Sequence, residues 1–109
     1  MTLQNCLDDF IFQKRLAGLA SKTIISYKDS ISLMVRAIGG NTPLPDVTYK
    51  KVTDYIFSLY NRPISRATVS SYVRNIRIFL RWVYIEYGLS FDPVKLKVPK
   101  SPKKIVHIY

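Results

Sequence analysis

Acidic side chains are scarce in this sequence. Seven Asp and Glu face seventeen Lys and Arg across 109 residues, a formal net charge of +10. Cysteine and histidine occur once each, as Cys6 and His107. One thiol excludes an internal disulfide, and one thiol with one imidazole excludes a Cys/His metal cluster. Cys6 sits among Leu3, Leu7 and Phe10, which predicts a buried structural thiol rather than a nucleophile. No apolar run approaches the roughly 18 residues of a membrane span. Asp8 and Asp9 come too early for a signal peptide. Phosphate-binding and dinucleotide-binding glycine motifs are missing, and His107 has no acid–base partner in sight. These absences predict a cytoplasmic chain with no membrane partner, no metal, no cofactor and no catalytic residues of its own.

What is present excludes a disordered basic tail. The chain is 48% hydrophobic and 13% aromatic, enough to form a core. Its length suits one small domain. The charge is uneven: residues 1–55 carry net +2 and residues 56–109 net +8. Such a balance points to a polyanionic partner, most simply nucleic acid.

Apolar periodicity predicts four helices. The first runs from about Thr2 to Leu19, with Leu3, Leu7, Phe10 and Ala17 on one face and Thr2 as its cap. The second runs from about Lys22 to Ile38, capped by Ser21 and stopped by Gly39-Gly40. Ile24, Tyr27, Ile31, Met34, Val35 and Ile38 form its apolar stripe. The third runs from about Tyr49 to Tyr60 behind Thr48, burying Val52, Tyr55, Ile56 and Leu59. Lys50 and Lys51 in its first turn are solvated surface charge or a phosphate contact.

The fourth helix is the longest, from about Arg66 to Tyr87, with Ser65 as cap and Gly88 at its end. Val69, Val73, Ile76, Leu80, Val83 and Tyr87 form its main apolar face, broadened by Tyr72 and Phe79, and Ile78, Trp82 and Ile85 a second strip. Two apolar sides predict a helix central to a bundle. Between them Arg66, Ser70, Arg74, Arg77 and Arg81 fall within about 80° on the helical wheel. No acidic residue precedes Glu86 in this helix, so no i,i+4 pair neutralises the band. From Leu89 onward, prolines and lysines replace helical period. The expected architecture is an all-α, compact four-helix bundle over residues 1–88. An extended basic linker follows over 89–109, with Lys95–Val98 alternating as a short strand would.

The order of these features resembles one family. Leu19-Ala20-Ser21-Lys22-Thr23-Ile24 with Tyr27 and Ile31 is similar to the start of the second helix in the N-terminal, SAM-like core-binding domain of tyrosine recombinases. These are the phage integrase and Xer-type enzymes. Val47-Thr48 with Val52 and Tyr55-Ile56 is similar to the third helix of that domain. Ser65–Val69, Tyr72-Val73-Arg74 and Ile76–Val83 resemble its fourth. Gly88, Asp92-Pro93 and Val98-Pro99-Lys100 follow in the family's order, with Asp92 where Asn is usual. The catalytic array of the family has no counterpart, and Tyr109 lacks the context of its nucleophile.

The resemblance implies the double-stranded-DNA-binding half of a site-specific recombinase, one side of a C-shaped clamp on a recombination half-site. Its partners would be the catalytic domain of the same parent chain and other protomers in a tetrameric synapse. The isolated domain would be a monomer. Arg74 and Arg77 become candidates for base edges, since arginine pairs bidentately with guanine. Arg66, Arg81, Lys22, Arg36 and Ser70 become candidates for the duplex backbone, with Thr23 offering a backbone N–H at a helix N-terminus. Lys97, Lys100, Lys103 and Lys104 would follow the backbone along the linker. Two other classes fit the charge: a helical module that meets an acidic protein, and a free-standing DNA-binding accessory or regulatory protein. The last needs a dimer interface, and no coiled-coil heptad supplies one.

Overall fold

The computed structural model describes residues 1–96, which form four helices. They are α1 (Leu3–Leu16), α2 (Ser21–Ile38), α3 (Tyr49–Tyr60) and α4 (Arg66–Glu86). Short 3-10 turns at Leu44–Asp46 and Pro93–Lys95 complete an all-α bundle. Among the described residues, β structure is confined to an isolated bridge between Thr2 and Pro43.

The helix starts follow from side-chain oxygens. Thr2 and Asn5 form a reciprocal cap at α1: the Thr2 hydroxyl accepts the Asn5 N–H at 3.3 Å and the Asn5 side chain accepts the Thr2 N–H at 3.2 Å. Thr48 caps α3 and Ser65 caps α4, accepting the N–H groups of Lys51 and Thr68. Helix α2 differs from expectation. It begins at Ser21 itself, its cap position is Ala20, and no side chain bonds its first turn. Helix α1 ends at Leu16, so Ala17 lies exposed at its C-cap rather than on the core face. Gly18 follows at φ +81°, a left-handed conformation that lets the chain reverse into α2.

Helix α4 packs against the other three helices and the Pro93–Lys95 turn. At the bundle centre the fully buried Phe10 ring meets Tyr27, Phe79 and Trp82 edge-on, with centroids 5.5, 5.2 and 5.4 Å away. Such edge-to-face pairs add about 0.5–1.5 kcal/mol each beyond area burial. A polar seam sets how α2 lies on α4. Asn75 of α4 donates to the Ser26 and Ser30 hydroxyls of α2 at 3.2 and 3.0 Å. The Ser30 hydroxyl is buried and donates back to the Ser26 carbonyl at 2.8 Å.

The second apolar strip of α4 is not a second core face. Trp82 is partly buried against the core, but Ile78 is 36% exposed and Ile85 67%. The bundle has only one interior, and α2 and α3 already flank α4 there.

Packing also continues past Gly88. Leu89 and Phe91 lie against the core, Pro93 is buried and Leu96 is 2% exposed. Ser90 donates to the Val47 carbonyl at 3.0 Å. Residues 89–96 therefore belong to the packed body, and Lys95-Leu96 lies in or beside a 3-10 turn rather than in a strand. Asp92 starts this turn by accepting the Val94 N–H at 3.0 Å.

Cys6 is fully buried, and burial pushes its thiol up to about 11, so it stays protonated and unreactive near neutrality. The Tyr87 hydroxyl donates to the Asp9 carboxylate, tying α1 to the end of α4. That bond, with lesser help from burial, pushes the phenol up to about 12.

Two outcomes are expected. Phe10→Ala will lower unfolding free energy by about 3–5 kcal/mol in a urea titration. Phe12→Ala, at an exposed position of the same helix, will change it by less than about 0.5 kcal/mol. Because the Tyr87 pKa is raised in the folded state, the Asp9 link is intact below about pH 10, the ordinary tyrosine value. It is lost as pH rises through about 12. Ultraviolet titration should show a late-ionising tyrosine that Tyr87→Phe removes.

Candidate nucleic-acid interface

The arginine band of α4 follows from its register. The buried arc centres on Val69, Ile76 and Leu80, so positions on the far side of the helix face solvent. Arg66, Arg74 and Arg81 are exposed and Arg77 is half-buried. Four arginines from Arg66 to Arg81, 15 steps apart, span about 22 Å of helix. Among the described residues the sole ion pair is Lys50–Asp54, at 2.9 Å on α3. No carboxylate therefore lies within ion-pair distance of the band there.

Ser70 departs from the sequence-based expectation. Its wheel position lies inside the arginine band, yet it is only 7% exposed. A small side chain one turn from Val73 and next to Val69 is covered where longer arginines reach past the neighbouring elements. It is not available to a phosphate.

On α2, Lys22, Thr23 and Arg36 are all exposed. Thr23 does not present a free backbone donor, because its N–H bonds back to the Ala20 carbonyl at 3.0 Å. Lys22 and Arg36 share the outward side of α2 with the exposed Asp29. Lys97, Lys100, Lys103 and Lys104 lie outside the described residues. Lys50, one of the two first-turn lysines of α3, is engaged by Asp54.

The structure adds residues that the helical wheel alone does not select. A cleft of about 260 Å³ opens where α4 meets the Pro93–Lys95 turn. Arg77, Arg81, Tyr84 and Ile85 line one side, and Asp92, Pro93 and Val94 the other. Asp92 is the carboxylate at this cleft, and one of its oxygens is occupied by the Val94 N–H. Tyr84 lies five turns from Arg66 on one line of the helix and is exposed. That spacing is readable in the sequence, but there Tyr84 looks like one more aromatic of an apolar helix. Asn75 also escapes a reading by periodicity. Its signal is the pair of serines four residues apart on α2.

The arrangement offers cations and a phenol at a solvent-facing surface. Among the described residues no three His, Cys, Asp or Glu side chains are grouped to hold a metal ion. None of the helices there is long and apolar enough to cross a membrane.

The chain is similar to the tyrosine recombinase XerC of Oceanobacillus iheyensis, 28% identical over 107 residues. The match covers 94% of this chain and 35% of that relative, so the chain spans about a third of its length. No family model matches the chain, and no solved structure matches it. The likeness supports a distant relationship to tyrosine recombinases, over a part of their length.

Proposed function

We propose that the chain is the DNA-gripping core-binding unit of a site-specific tyrosine recombinase or integrase. It holds the duplex of a recombination half-site from one side, as half of a C-shaped clamp. One observation carries this reading: Arg66, Arg74, Arg77 and Arg81 lie along one side of a rigid helix with no acidic partner within reach among the described residues. A helix of this kind fits the major groove, where arginine reads guanine and neighbouring cations fix register on phosphates. The similarity to XerC supports the same class.

In this reading the chain performs no bond cleavage. Arg74 and Arg77 meet base edges, while Arg66, Arg81, Lys22 and Arg36 meet phosphates. Breaking and rejoining of the strands belong to a catalytic domain of the parent chain, and the synapse to further protomers. The rigid α2–α4 seam matters because two helices must keep their spacing to straddle one groove.

The test is fluorescence anisotropy of labelled duplex DNA with the 109-residue chain across a salt series. With about six cations on phosphate, Arg66, Arg81, Lys22, Arg36 and two lysines of the basic tail, log affinity against log salt should fall with a slope of about −5. Arg81→Ala should flatten that slope by about 1, uniformly across sequences. Arg74→Ala should cost about 1–3 kcal/mol on a preferred sequence and less on unrelated ones. A slope near zero, or equal affinity for duplex DNA after both arginines are removed, contradicts the proposal.

A further inference from the structure

Two isoleucines sit where a purely phosphate-binding surface has no use for them. Arg74, Ile78, Arg81 and Ile85 follow one another at steps of four, three and four. They fall within about 60° of the wheel, so they form one ridge of alternating charge and hydrocarbon. Ile78 is 36% exposed and Ile85 67%, and neither packs into the core cluster. A face selected only for solubility and charge would carry polar residues at these positions.

The two are not equivalent. Ile85 stands beside Pro93 and Val94 at the cleft, where its hydrocarbon has neighbours from its own chain. Ile78 has an exposed arginine on each side, four residues before and three after. At 1.5 Å per residue these arginines lie about 6 Å and about 4.5 Å from it along the helix axis. Base pairs repeat about every 3.4 Å along the duplex. With the helix axis running along the groove, a helix seated with Arg74 or Arg81 on a guanine brings Ile78 over a base pair one or two steps away. The apolar group that the major groove presents there is the C5-methyl of thymine.

We infer that Ile78 is a sequence-reading residue, packing on the C5-methyl of a thymine one or two base pairs from an arginine-read guanine. This rests on the duplex-gripping reading above and adds the base that the hydrocarbon selects. It makes the ridge a mixed reader: arginine for guanine, isoleucine for thymine.

The experiment separates the two readings. A random-sequence duplex library is enriched on the immobilised 109-residue chain, and the recovered sequence is resynthesised with each thymine in turn replaced by deoxyuridine, which lacks only the methyl. One replacement should weaken binding about threefold to fivefold, the worth of one buried methyl-sized group. The same replacement should have no effect on Ile78→Ala, whose affinity for the thymine duplex should already be reduced by that factor. Ile78 is 36% exposed, so Ile78→Ala should lower the melting temperature by a few degrees and remain folded at the assay temperature, checked by circular dichroism, and Ile78→Val should retain most of the discrimination. Enrichment with no methyl effect at any thymine, a methyl effect that persists in Ile78→Ala, or recovered duplexes with no shared sequence would overturn the role of Ile78 while leaving duplex binding intact. No enrichment of duplex at all would overturn both.

Discussion

The rest of the molecule depends on the burial of one ring. Phe10 of α1 is fully enclosed and touches aromatic rings from α2 and from two turns of α4. Three helices are thereby locked in rotation as well as in position, because turning any one of them breaks an edge-to-face pair that no other ring can replace. The Asn75–Ser26–Ser30 hydrogen bonds repeat the constraint in polar form. A buried hydroxyl without its partner costs about 1–3 kcal/mol, so α2 and α4 cannot slide past one another freely. The orientation of the outer face of α4 is therefore decided in the core.

That orientation gives the arginines their meaning. Like charges three and four residues apart destabilise a helix by about 0.2–0.5 kcal/mol per pair. Arg74, Arg77 and Arg81 form two such pairs, and among the described residues no carboxylate comes within ion-pair distance of them, Asp92 across the cleft included. The core is large enough to tolerate this small cost. A polyanion removes it and gains the release of its own counterions. On α3, by contrast, Lys50 is paired with Asp54. That contrast within one small fold is the basis for proposing α4 as the DNA-facing helix.

Much of this is visible in the sequence, and the reason is periodicity. The four helices, the caps at Thr2, Thr48 and Ser65, the core faces of α2 and α3 and the arginine band follow from steps of three and four. Hidden from periodicity is whatever depends on the neighbour across a gap. Ser70 has the right angle for the surface, and its small size lets it be covered. Ile78 and Ile85 have the composition of a core strip and lie outside the single interior that four helices enclose. Residues 89–96 lack helical period, so they read as linker, yet burial of Leu89, Phe91, Pro93 and Leu96 and the Ser90–Val47 hydrogen bond anchor them. The start of α2 lies one residue earlier than expected because an extended Ala20 precedes it and no side chain marks the boundary.

The most direct observation of the face itself is nuclear magnetic resonance of the side-chain nitrogens of arginine during titration with duplex DNA. The Nε signals of Arg74, Arg77 and Arg81 should shift and sharpen together, with amides of α4 and the outward side of α2 following and the exposed side of α1 around Phe12 unmoved. Shifts concentrated on α1 or α3, with the three α4 guanidinium groups unchanged at saturation, would contradict the assignment of α4 as the DNA-facing helix.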